Sequence, residues 1–149
     1  MANIVTRPLA EQDFDAWRRL WTDYLAFYNT AVAEKVYHVT WERLLSDRAN
    51  TFAGFVAETP DRGAVGLTHF LFHRHCWREE DVCYLQDLYV TPAARGIGAG
   101  RALIETVYHK ADSQGAPNVY WLTQASNIEA RRLYDRIGSP TDFMRYNRF

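Results

Sequence analysis

The segment Arg95-Gly96-Ile97-Gly98-Ala99-Gly100 places three glycines in six residues, between an apolar run and an amphipathic one. Each glycine costs a helix about 1 kcal/mol relative to alanine, so this density needs a backbone reason. A strand that passes through glycine-rich backbone into a helix N-terminus is an anion site. Amides without helical partners point outward, the helix dipole adds partial positive charge, and missing side chains let a phosphate approach. Two nucleotide motifs fail on spacing: GxxxxGK[ST] is absent, and GxGxxG would need its third glycine where Arg101 stands. A glycine-rich turn without a ligand is the plainer alternative. A second cluster is histidine: His69, His73 and His75 share one strand face by alternation if no bulge intervenes, and Cys76 follows. They invite a metal reading, but no further ligands accompany them, so no metal is expected. His69 is kept as a candidate base or binding residue; His73 and His75 read as surface groups.

The elements that must position these residues follow from periodicity. Ile4 to Arg7 reads as a strand ended by Pro8. In EQDFDAWRRLWTDYLAFYN, Phe14, Trp17, Trp21, Tyr24 and Tyr28 recur at spacings of three and four, so they share a helical face. Periodicity fades from Asn29 to Val39, and Thr40 is then placed to cap a short helix, WERLLSD, suggesting a lid. FAGFVAE (52–58) and AVGLTHFLFHRH (64–75) form a hairpin around TPDRG, and VCYLQDLYV (82–90) is the strand leading to the glycine segment. A helix runs from Gly98 to Gln114, stopped by Gly115 and Pro117. NVYWLTQ (118–124) is a fifth strand, SNIEARRLYDRIG (126–138) a helix and FMRYNRF (143–149) a last strand. Antiparallel hairpins come early, and strand and helix alternate late.

Length and composition exclude several classes. The 149 residues suit one domain with a real core. Seventeen basic against eighteen acidic side chains supply no field for gathering nucleic acid or an anionic membrane. Two cysteines make no disulfide framework, and no run of about 18 apolar residues offers a membrane span. A soluble protein of the reducing cytoplasm is expected.

Arg95-x-x-Gly98-x-Gly100 fits the [Q/R]-x-x-G-x-[G/A] signature of the GNAT superfamily of N-acetyltransferases, in which this loop holds the pyrophosphate of coenzyme A. The preceding LQDLYV resembles that family's bulged fourth strand. SNIEARRLY resembles its N-x-x-A-x-x-x-Y helix through Asn127, Ala130 and Tyr134, which spacing alone puts on one helical face. DLYV, RALIETVY, VYWLTQASN and ARRLYD resemble the fungal histone and D-amino-acid acetyltransferase branch. WLTQASN and the WRRLW…YLAFYN region are similar, more loosely, to diamine acetyltransferases. The likeness is specific from Val82 to Gly138 and extends to the order of elements elsewhere.

The resemblance implies one α/β domain over 1–149: a mixed, mainly antiparallel sheet with a bulged fourth strand and a V-shaped coenzyme cleft, with helices on both faces. It implies acetyl-CoA as co-substrate, bound by Leu88, Tyr89 and Val90, by Arg95, Gly96, Ile97, Gly98, Ala99, Gly100 and Arg101, and by Asn127, Ala130 and Tyr134. Main-chain pairing of Leu88 and Val90 with the pantetheine would follow the logic of an added strand. The Leu88 amide would polarise the thioester carbonyl. Tyr134 would be the general acid: a phenol near pKa ~10 can protonate a thiolate whose thiol sits at ~8.5. A core tyrosine is the alternative for Tyr134.

The diamine relatives carry a carboxylate where this chain has Gln86, so the base is open between Asp87, whose face alternation does not settle, and a water chain. The resemblance puts Tyr24, Phe27, Tyr28, Trp41, His69 and Asp87 at the acceptor pocket. Aromatic walls suit an amine on an apolar or cationic body. A small amine, polyamine or amino acid is the first acceptor class, and a protein lysine the second. A non-catalytic acyl-CoA sensor and a nucleotide-binding protein are the alternatives of other kinds. The resemblance to the fungal branch also implies a homodimer through the apolar C-terminal segment.

Overall fold

Five strands, β1 (Val5–Pro8), β2 (Ala53–Thr59), β3 (Gly63–His73), β4 (Val82–Val90) and β5 (Val119–Tyr120), lie side by side in chain order in the computed structural model, which describes residues 3–48 and 51–149. β1 to β4 pair antiparallel, whereas β5 runs parallel to β4. Four helices cover the sheet: α1 (Phe14–Phe27), α2 (Glu34–Leu45), α3 (Ala99–Ser113) and α4 (Ile128–Ile137). One-residue alternation along the strands sends apolar side chains to both faces, and each face needs helices to bury it. On one face Phe55, Val65, Phe70, Cys83 and Leu85 pack with Leu103, Ile104 and Val107 of α3, and Leu133 and Ile137 of α4 lie against them. On the other, Leu67 and Tyr89 pack with Trp17, Leu20, Trp21 and Leu25 of α1 and with Tyr37 and Leu44 of α2.

The bulge expected in β4 is present, and its position is informative. Asp87 pairs with His69 and Leu85 with Phe70, which leaves Gln86 as an extra residue. Without it, Leu85 and Asp87 would share a face; with it, Leu85 stays in the α3-side core while Asp87 turns to meet His69. Leu88 and Val90 then pack toward α3, and Tyr89 toward α1. Beyond the bulge the sheet opens, because β4 meets β5 only at Cys83–Val119 and Tyr84–Tyr120. The two strands therefore diverge on the side of the glycine loop.

Three expectations need correction. α2 begins at Glu34 rather than at a Thr40 cap, because its first turn is held from outside. The Glu34 carboxylate accepts from both Arg18 terminal nitrogens at 2.8 and 2.7 Å, and Tyr37 packs against Trp17 and Trp21. β5 is two residues long rather than seven. Residues 143–149 form no strand, and Phe143, Met144, Tyr146 and Phe149 are exposed.

Candidate active site

The glycine loop adopts the geometry that its composition requires. Gly96 and Gly98 have φ of 82° and 93°, in the left-handed region where a Cβ is unfavourable, and Gly98 is the N-cap of α3. A Cβ built on Gly96 would meet nothing within 4 Å, so conformation rather than crowding selects glycine there. Arg95 is fixed from two sides: its Nε donates to the Val90 carbonyl at 3.0 Å, and its guanidinium lies 5.8 Å from the ring centres of both Phe27 and Tyr89.

This loop forms one wall of a cleft of about 450 Å³. The cleft is also lined by Leu88, Tyr89 and Val90, by Ala99, Gly100 and Arg101 of the first turn of α3, by Asn127, Ala130 and Tyr134, and by Tyr24, Phe27 and Tyr28. The fold thus brings together nearly every residue expected at the coenzyme and three of those expected at the acceptor. Ile97, Trp41, His69 and Asp87 do not line it. Trp41 packs on Trp17 and Phe14 at 4.9 and 5.4 Å, inside the aromatic core. His69 is buried behind the cleft rather than facing solvent. Spacing predicted a shared face for His69, His73 and His75, but their fates differ: His73 meets the Tyr120 hydroxyl at 2.7 Å, and His75 packs beside Trp77. Among the described residues no group of three or more His, Cys, Asp or Glu is arranged to hold a metal ion, and no helix is long and apolar enough to cross a membrane.

Glu129, Arg132, Leu133 and Arg136 also line the cleft; from the sequence Arg132 reads as part of a solvated helix side within reach of a coenzyme phosphate, and the other three carry no site assignment. Their signal was available: Arg132 and Arg136 are one turn apart on α4, on the side carrying Glu129. With Arg95 and Arg101 they give the cleft four guanidinium groups. Open left-handed backbone, a helix N-terminus and these cations together fit a pyrophosphate.

Asn127 has a structural duty as well as a place on the cleft. It is the N-cap of α4, and its side-chain oxygen accepts from the Ala130 amide at 3.4 Å. Tyr134, two turns on, packs edge-on against Trp121 at 5.5 Å. Burial, reinforced by nearby Tyr28, pushes its phenol up to about 12. The Tyr24 phenol is raised further, first by burial and then by the negative charge of nearby Asp87. Tyr28 is raised by burial and by the same carboxylate. Three protonated phenols therefore converge where Asp87 approaches the end of the cleft.

A bulged, splayed β4, a glycine-rich turn at the N-terminus of α3 and a capped α4 presenting a tyrosine to one cleft define a coenzyme-dependent acyl-transfer fold. The Acetyltransferase (GNAT) family model matches residues 14–138, and the chain belongs to that family of acetyl-CoA-dependent enzymes. It is 37% identical over 145 residues, 97% of this chain and 90% of the relative, to the D-amino-acid N-acetyltransferase HPA3 of Saccharomyces cerevisiae. The fold is shared with AAC(6')-Iy in complex with the bisubstrate analogue CoA-S-monomethyl-acetylneamine: TM-score 0.83, 18% identity and 99% of each chain covered. It is also shared with a ribosomal-protein-alanine N-acetyltransferase from Brucella melitensis biovar Abortus 2308: TM-score 0.80, 22% identity, 99% of this chain and 100% of the other.

Proposed function

We propose that the protein transfers acetyl to the primary amine of a small molecule, amino acids being the first class to test. The observation that carries this reading is a single cleft that joins a phosphate cradle to a proton donor, with Gly96, Gly98 and the α3 N-terminus at one end and Tyr24, Tyr28 and Tyr134 at the other. The 37% identical yeast relative, by its name a D-amino-acid N-acetyltransferase, supports the acceptor class. When bound, acetyl-CoA supplies a thioester carbon open to the amine and a sulfur able to leave.

The chain's own groups take the remaining roles. The loop amides and Arg95, Arg101, Arg132 and Arg136 hold the anionic end. The main chain of Leu88 and Val90, past the bulge, pairs with the extended part of the coenzyme. The Leu88 amide polarises the carbonyl as negative charge develops on its oxygen. Tyr134 gives its phenolic proton to the departing sulfur, which keeps the electron pair of the broken C–S bond, and recovers a proton from the newly acylated nitrogen. Tyr24, Phe27 and Tyr28 wall the acceptor end. A reducing compartment such as the cytoplasm suits the free Cys76 and Cys83, and a second copy of the chain is the proposed cover for residues 143–149.

The experiment is acetyl-CoA-dependent thiol release across D- and L-amino acids, polyamines, aminoglycosides and histone-tail peptides. Turnover on amino acids or other small amines, with peptides inert, supports the reading. Preference for peptides replaces it with a protein acceptor. Coenzyme binding without any turnover replaces it with a sensor.

A further inference from the structure

Behind the acceptor end of the cleft, three side chains from three elements form one hydrogen-bonded line. The Trp17 indole nitrogen of α1 lies 2.9 Å from His69 Nε2 on β3, and His69 Nδ1 lies 2.9 Å from Asp87 Oδ2 on β4. An indole N–H only donates, so His69 Nε2 must be the accepting nitrogen. The ring's single hydrogen then sits on Nδ1 and points at the carboxylate. With both nitrogens engaged, His69 is not free to take a substrate proton, which rules out the role of base kept for it above.

The line has a buried end and an open end. Trp17 and His69 are 1% and 2% exposed, whereas the Asp87 side chain keeps 14% of its surface. The Asp87 backbone is pinned as well, its carbonyl accepting from Thr68 Oγ1 at 2.8 Å. The Gln86 bulge is what turns Asp87 onto this face. The titratable groups facing the carboxylate are His69 from β3, Tyr24 from α1, Tyr28 just beyond it and Tyr84 from β4, and its charge helps keep all three phenols protonated.

We infer that Trp17 and His69 are positioning residues that hold Asp87 as the proton acceptor for the incoming ammonium, an inference that rests on the transferase reading. The N–H bond of the ammonium breaks, its electron pair stays on nitrogen as the nucleophile, and the proton passes to an Asp87 oxygen and then to water. The surrounding phenols suit a cationic amine as the arriving species: His69 keeps one carboxylate oxygen fixed, and the exposed remainder of the carboxylate lies next to Tyr24 and Tyr28, which wall the acceptor end.

The test measures kcat and KM for the acceptor against pH in wild type, Asp87→Asn, Trp17→Phe and the double variant, with acetyl-CoA affinity alongside. Asp87→Asn lowers kcat/KM about 100-fold near neutrality, and the deficit shrinks as pH approaches the acceptor's own pKa, because a free amine needs no proton acceptor. Trp17→Phe lowers it about tenfold with the same pH trend, as loss of an orienting partner does elsewhere. In the Asp87→Asn background it adds nothing further, since the two act as one unit. Additive losses, or a Trp17→Phe defect confined to thermal stability, overturn the relay. Should Trp17→Phe fail to fold, imidazole 15N spectra of the wild type decide: a hydrogen on Nδ1 supports the relay, and one on Nε2 overturns it. Absence of wild-type turnover on every acceptor overturns the transferase reading and the relay together, whereas turnover with additive losses overturns the relay alone.

Discussion

A phenol pushed up to about 12 by burial is a stronger proton reservoir and a weaker acid than the ordinary tyrosine near ~10 assumed from the sequence. Tyr134 is therefore fully protonated at neutral pH, and under the proposed mechanism its proton leaves only as the C–S bond breaks and negative charge gathers on sulfur. Tyr134→Phe is expected to lower kcat about 100-fold with acetyl-CoA affinity retained, since it removes the proton and keeps the ring against Trp121. Loss of the proton from Tyr134 ends activity as pH rises through its pKa, so any basic limb due to this residue lies near 12 in a kcat profile. Stability moves the other way from a depressed carboxyl. The native phenols of Tyr24 and Tyr134 hold their protons more tightly than unfolded ones, so melting temperature falls as pH climbs past about 10, and less in Tyr134→Phe. At this scale Tyr134, Asn127 and the loop glycines were legible because their types and spacing are themselves the signal. His69 and Asp87 were named but not understood: strand alternation orders side chains only until a bulge, and Gln86 supplies one.

Among the elements, the turn into α3 separates two glycines that look alike in the sequence. Gly98 caps the helix at a φ of 93°, and its Cβ would meet only Ile4 at 3.8 Å. Gly98→Ala is expected to cost about 1–2 kcal/mol in chemical denaturation through backbone conformation alone, and to weaken coenzyme binding as the amides turn. Gly100 lies inside α3, and its Cβ would make ordinary contacts with Leu133 and Val90 at 3.4 and 3.8 Å. Gly100→Ala should leave stability close to wild type, measured in the same way. The β4–loop–α3 unit was readable because strand alternation, glycine chemistry and helical period agree across it. α2 was misplaced because its first turn draws its stability from Arg18 and from the Trp17–Trp21 stack, contacts 16 to 20 residues away that local pattern does not contain. β5 is short because β4 turns away after Tyr84, which is a property of the bulge rather than of the β-rich sequence in NVYWLTQ.

For the molecule as a whole, the C-terminal residues are the least satisfied part of the surface. Phe143 is 81% and Tyr146 88% exposed, close in sequence to the likewise exposed Met144 and Phe149. Such a cluster of apolar groups is the mark of an interaction surface. Under the proposed pairing of two copies, sedimentation gives a concentration-dependent dimer, and removal of residues 143–149 gives a monomer. A wild type that stays monomeric at every concentration removes the proposal. The divergence of β4 from β5 has a consequence of another kind. A coenzyme seated there as an added strand would tie together the two halves of the sheet, so its binding energy would also be folding energy. Ligand at 100 times its dissociation constant adds about 2.7 kcal/mol to the native state. The lifetime of the enzyme against unfolding and proteolysis would then rise and fall with the supply of acyl-coenzyme, linking its abundance to the metabolite it consumes.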